Sequence, residues 1–223
     1  LTGLINRTLL IEKLKSAILY AKRHSTSLSL VFIDLDRFKP INDTFGHAAG
    51  DKVIVEIAQR IKHKLRDNDI VSRLGGDEFV VVLEETQDRQ SVNNVVQDLL
   101  KLLEQPIYLG SHSVSVSGSA GIAMYPVDAI DAESLLRNAD VAMYSAKESG
   151  KNGYQHFTPA MNEKVQQAML LQNKLKVGVA SNEFENYYQP IVDTKNKKTV
   201  GFEMLMRWQS DNQFISPVTF IPI

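Results

Sequence analysis

A change of hydrophobic period that recurs along the chain restricts the fold more than any other feature. Leu10, Leu14, Ala17, Ile18 and Ala21 fall on one helical stripe, and Leu28-Ser29-Leu30-Val31-Phe32-Ile33 follows as a short apolar run ending in charge. That is the pattern of a helix leading into a buried strand. Val53, Ile54, Ile57, Ala58, Ile61 and Leu65 form a second helical stripe, which Gly50 and Asp51 are expected to open; Asp51 suits the positive end of a helix. Strands are predicted at 70–73 and 78–83, joined by the glycine turn Leu74-Gly75-Gly76-Asp77. A helix through Val92 to Leu103, a hairpin through Gly110 into a strand with Val114, Val116 and Gly118, and a helix through Leu135 to Ala146 stopping at Gly150 come next. A last short strand at 154–157 closes the first domain near residue 158. Thr158-Pro159 then caps a new helix running to about Val179, followed by strands at 185–192 and 199–207. Helices alternating with short strands in this way make an α+β or α/β protein.

Composition removes several functional classes. Twenty-five basic against 26 acidic residues leave a net charge of −1, which argues against a chain built to coat nucleic acid or an anionic membrane, so bound phosphate must be held locally. With no cysteine there is no disulfide scaffold and no thiolate chemistry. No stretch approaches the ~20 apolar residues of a membrane span. The expectation is a cytoplasmic segment without membrane contact of its own. The chain opens at Leu1 without a methionine and stops in Phe220-Ile221-Pro222-Ile223, so it is read as a piece of something longer.

The chemistry concentrates at strand ends. Asp34-Leu35-Asp36 follows the first apolar run, and Asp77-Glu78 sits in the glycine turn. If the two strands are neighbours, one carboxylate from each can hold Mg²⁺, which takes one or two such ligands alongside substrate phosphates. A solvated strand end and a tight turn would leave the same residues. Gly75 and Gly76 either let a ligand approach the backbone or only supply the turn. Asn42 and Asp51 can read a guanine edge, the carboxylate accepting from N1–H and the 2-amino group, or can be caps. Lys147 and Lys151, four apart on one helical face, can meet a triphosphate or complement the helix end. Arg66 and Asp69 offer a fork and an acceptor, or form a surface ion pair. His24, His47, His63, His112 and His156 share no metal spacing and are read as structural.

Five blocks in order resemble the GGDEF family of diguanylate cyclases: Leu1-Thr2-Gly3-Leu4-Ile5-Asn6-Arg7; Asp34 through Asp43, running on through Gly46-His47 to Gly50-Asp51; Arg73-Leu74-Gly75-Gly76-Asp77-Glu78-Phe79; Ala139 to Tyr144; and Ala146-Lys147 with Gly150-Lys151-Asn152. The resemblance implies a nucleotidyl-cyclase-like palm with a central, mostly antiparallel sheet flanked by helices over residues 1–158. It implies that two GTP molecules, one on each protomer of a homodimer, are condensed to cyclic di-GMP and pyrophosphate. Asp34, Asp77 and the Leu35 carbonyl would hold Mg²⁺ or Mn²⁺, with Glu78 a further ligand or base. Asn42 and Asp51 would hold guanine, the backbone of Phe38 and Lys39 the phosphates, and Lys147 and Lys151 would neutralise them; Lys151 stands where arginine is also common. Arg66 and Asp69 match the family's RxxD product-inhibition site.

Beyond a linker helix at 159–183, residues 184–223 resemble the start of an EAL domain, the cyclic di-GMP phosphodiesterase family, through Tyr187 to Val192, Gly201 to Trp208, Ser216-Pro217 and Phe220-Ile221-Pro222. Met204 replaces the motif's usual alanine. Glu203 would be a metal ligand there, but such a barrel needs ~250 residues, so phosphodiesterase activity is not expected from this piece. An alternative to an active cyclase is a silent GTP-binding module that regulates an attached EAL domain, and a third reading is a product receptor acting through Arg66 and Asp69.

Overall fold

The computed structural model describes residues 1–86, 88–211 and 213–221, so Pro222 of the EAL-like phrase lies outside the described residues. Two compact units divide at Asn162 and Glu163. The first runs α1 (Arg7–His24), β1 (Leu28–Leu35), α2 (Phe38–Phe45), α3 (His47–Lys64), β2 (Ile70–Gly75), β3 (Glu78–Leu83), α4 (Arg89–Leu103), β4 (Ile107–Leu109), β5 (His112–Val114), β6 (Gly118–Tyr125), α5 (Ala132–Glu148) and β7 (Gly153–His156). Its sheet has the order β2-β3-β1-β6-β7, antiparallel at every pairing except the parallel β6–β7 edge.

Alternation along the central strands builds a core on each face. Val31, Ile33 and Leu35 with Phe79, Val81 and Leu83 pack against α3 and α4. Leu28, Leu30 and Phe32 with Val80 and Val82 pack against α1 and α5. Burial of all eight residues of β1 is what a strand covered on both sides requires. Helices α1, α4 and α5 start where side chains supply the missing acceptors: Asn6 takes the Leu9 amide at 3.0 Å, Asp88 that of Ser91 at 2.7 Å and Asp131 that of Ser134 at 2.8 Å. Gly121 on β6 lets α5 lie directly on the sheet, because a Cβ there would run into the helix backbone at Ala139 and Met143. That close approach fixes the height at which α5 carries Asp140 and Lys147.

Three expectations change. Residues 38–45 form a helix of their own, and α3 begins at His47 rather than at Gly50. The segment expected as one strand through Val114 and Gly118 is split: β4 and β5 make a separate two-stranded sheet, and Ser117 turns aside so that its carbonyl accepts from the Asp36 amide at 2.9 Å. Helix α5 stops at Glu148, and Gly150, Lys151 and Asn152 all take positive φ. Lys151 therefore lies beyond the helix, not on one helical face with Lys147.

The second unit, Glu163–Ile223, holds β8 (Phe184–Val192), β9 (Thr199–Ser210), β10 (Gln213–Ile215) and α7 (Pro217–Phe220), and most of α6 (Pro159–Ala180). Its sheet is antiparallel in the order β10-β9-β8. Trp208, Phe184 and Phe220 meet with ring centroids 5.3 to 5.8 Å apart, and the indole N–H donates to Glu183 at 2.9 Å. Tyr188, Phe202 and Met204 are exposed. No helix among the described residues is long and apolar enough to cross a membrane.

Candidate functional site

At one end of the central sheet the even-numbered rows change from apolar to acidic. Asp34 continues the row of Leu30 and Phe32, Glu78 continues that of Val80, and the two are cross-strand partners, which places their side chains on the same face. The Leu35 amide donates to the Asp77 carbonyl at 3.3 Å, so the glycine turn is fastened beside the end of β1. Gly76 takes φ +50° there, and the Arg73 guanidinium grips its carbonyl with two bonds of 3.0 and 2.7 Å. From α5 the Lys147 ammonium reaches Asp34 Oδ1 at 2.6 Å. Burial raises the Asp34 carboxyl above its ordinary range; the Lys147 bond opposes this, and Asp77 and Asp36 add to it. Glu78 is raised by burial and then by Asp34, Asp140 and Asp77. Asp140 is raised by burial, with Lys147 and Arg7 opposing. Four carboxylates thus face one ammonium, with the Arg7 guanidinium acting on Asp140 alone, a charge imbalance that suits a further cation.

The donor set fits a hard divalent ion. Among the described residues no three acidic or histidine side chains form a ready-made cage, and Mg²⁺ needs only one or two carboxylates when phosphate and water complete its shell. Lys147 already puts positive charge against Asp34. Leu35 is buried and could contribute only its carbonyl.

Asp36, two residues on, has a different role that charge alone did not reveal. It is buried and accepts from Ser119 Oγ at 2.7 Å, Ser117 Oγ at 2.8 Å and the Asn152 amide at 3.0 Å. The acid ties β1, β6 and the turn carrying Lys151 together. The signal in the sequence was two serines more than eighty residues away, which no local pattern connects to position 36.

Helix α2 begins without a side-chain cap, since its N-cap residue is Arg37 in the left-handed region. The Phe38 and Lys39 amides belong to its first turn, where backbone donors lack helical partners. Phe38 is buried and Lys39 exposed. Asn42 lies over Gly50 of α3, and Asp51 is exposed in the next position. Asn42 and Asp51 therefore stand on the two helices that meet at the α2–α3 junction.

The family model for the diguanylate cyclase GGDEF domain matches residues 1–153, and that for the EAL domain matches 172–223. The chain belongs to the GGDEF family. It is 38% identical over its whole length to the bifunctional diguanylate cyclase/cyclic di-GMP phosphodiesterase MucR of Pseudomonas aeruginosa, covering 33% of that protein. It is 33% identical over 99% of its length to the cyclic di-GMP phosphodiesterase NbdA of the same organism, covering 28% of it. Of solved structures, the GGDEF domain of TpbB from Pseudomonas aeruginosa superposes with a TM-score of 0.72 at 40% identity, over 74% of this chain and 96% of that one. The chain spans about a third of the length of MucR and of NbdA.

The remaining expected residues of this GGDEF chain are Arg66, Asp69 and Glu203. Asp69 turns inward on its own loop, accepting from the Arg66 amide at 3.0 Å and the Glu84 amide at 3.3 Å. Arg66 and Asp69 line a cavity of about 190 Å³ with Glu84, Glu85 and Ser91. Glu203 belongs to the second unit, on β9 opposite Gln189, and is exposed.

Proposed function

We propose that residues 1–158 form a diguanylate cyclase domain, with 159–183 a linking helix and 184–223 the beginning of an EAL domain. Two such domains, paired as a homodimer, would each present one GTP. The 3′-oxygen of each GTP bonds to the α-phosphorus of the other, the bond to pyrophosphate breaks, and cyclic di-GMP results. The observation that carries this reading is the overloaded acidic edge of Asp34, Asp77 and Glu78 on the same unit as the uncapped N-terminus of α2. Asp34, Asp77 and the Leu35 carbonyl would hold Mg²⁺ or Mn²⁺, which when bound offsets the charge developing on phosphate oxygens. Glu78 is a further ligand or the proton acceptor for the attacking hydroxyl.

The chain's own groups position the nucleotide. The Phe38 and Lys39 amides donate to the phosphates, Gly75 and Gly76 leave the turn backbone open to them, and Lys147 and Lys151 balance their charge. Asp51 accepts from guanine N1–H and its amino group, and Asn42 serves the acceptors. Arg66 supplies the cation of a product site whose loop Asp69 holds in shape, so that accumulating cyclic di-GMP favours an unproductive arrangement. No phosphodiesterase activity is expected from this chain.

A second reading is favoured by the resemblance to NbdA, a protein named as a cyclic di-GMP phosphodiesterase: a GTP-binding module without turnover that adjusts an attached EAL domain. Incubating the chain with GTP and Mg²⁺ and separating the nucleotides by chromatography tests both. Cyclic di-GMP lost in Asp77→Ala supports the cyclase; GTP bound and returned unchanged supports the regulatory module.

A further inference from the structure

Gly50 is the fourth residue of an 18-residue helix and is buried. Its backbone is ordinary helix, because its φ is not among the positive values and its amide donates to the Gly46 carbonyl at 3.2 Å. Conformational freedom therefore does not explain a glycine here, and in a helix interior glycine is less stable than alanine. Space does explain it. A Cβ at position 50 would overlap the Asn42 Oδ1, lie 2.9 Å from Asn42 Cγ and sit 3.2 Å from Phe38 Cζ. Both residues it would strike come from α2, which carries the Asn42 carboxamide proposed for guanine and the uncapped turn proposed for phosphate.

We infer that Gly50 is a positioning residue for nucleotide specificity: its missing side chain is the seat in which the Asn42 carboxamide rests, and through Asn42 it sets how the site tells guanine from adenine. The inference rests on the guanine reading of Asn42 and Asp51 given above. A methyl group at position 50 displaces the carboxamide while improving the helix itself. Affinity for the base then falls although the fold gains, a combination that a merely structural glycine would not give.

The test titrates wild type, Gly50→Ala, Asn42→Ala and the double variant with 2′-methylanthraniloyl-3′-deoxy-GTP and the corresponding ATP analogue, which lack the attacking 3′-hydroxyl, and melts each protein without nucleotide. The expected result is a melting temperature for Gly50→Ala equal to or above wild type, and a loss of GTP-analogue affinity of about tenfold or more, the worth of a base contact left unmade. Affinity for the ATP analogue stays as in wild type. In the Asn42→Ala background the same Gly50→Ala change alters affinity by less than about twofold, because the two act as one unit. Should Gly50→Ala melt lower, recovery in the double variant still assigns the conflict to Asn42, and no recovery overturns the inference. Wild-type affinity in Gly50→Ala, or a full further loss in the Asn42→Ala background, also overturns it. Failure of the wild type itself to prefer the GTP analogue would instead remove the guanine reading.

Discussion

Asp34 and Asp36 stand two residues apart at the same end of the sheet and meet opposite surroundings. Around Asp36 three donors converge from β6, from Ser117 just before it and from the turn after α5, so the buried charge is answered by hydrogen bonds. Around Asp34 burial and neighbouring carboxylates raise the proton affinity, and a single lysine opposes them. The first arrangement stabilises a fold. The second is left incomplete by the protein alone, as the proposed site for a cation and a polyphosphate requires and a structural knot does not.

The contrast can be broken most forcefully at the knot. Asp36→Ala strands two hydroxyls and an amide, and is expected to cost about 2–4 kcal/mol in urea unfolding. A loss below about 0.5 kcal/mol, the range of surface changes, would show that the three bonds are dispensable. On the acidic edge the larger effect is on binding: Lys147→Met should weaken GTP affinity by about tenfold in calorimetry, the scale of one charge-assisted contact, and lower the unfolding midpoint, since buried Asp34 loses its cation. An unchanged affinity would separate Lys147 from the phosphates.

A smaller effect is a pH slope. Asp34 and Glu78 have folded-state proton affinities above those of the unfolded chain, so the native state holds more protons than the unfolded state between the ordinary carboxylate range and the raised values. Unfolding free energy of the metal-free chain should then fall as pH rises through that window. Chemical denaturation across this range checks it, and the slope should flatten in Asp34→Asn/Glu78→Gln. A slope unchanged in that variant would place the effect in other groups.

Much of this was legible from the chain. The six-residue apolar run and the glycine turn located β1 and the β2–β3 hairpin, and their acidic ends were brought together because antiparallel pairing puts Asp34 opposite Glu78. The eight-residue α2 was missed: it contains Pro40 and buries only Phe38 and Ile41, too few positions to show a helical period. Lys151 was misplaced because a run of left-handed residues, tied back through the Asn152 amide to Asp36, reverses the chain after Glu148. The role of Asp36 was not legible, because charge density in Asp34-Leu35-Asp36 does not say which acid will meet distant donors. In the second unit the strands were visible in the alternation, and the Trp208 cluster was not, since it joins positions from three separate segments.

The central claim is that Asp34 is kept for chemistry at the expense of folding. Its most direct test measures Asp34→Asn twice, for thermal stability without metal and for cyclic di-GMP made from GTP and Mg²⁺. The account predicts a melting temperature equal to or above wild type, since a half-answered buried charge has been removed, together with loss of product from a wild type that makes it. Product formed at the wild-type rate, or a variant that melts far below wild type, would contradict it.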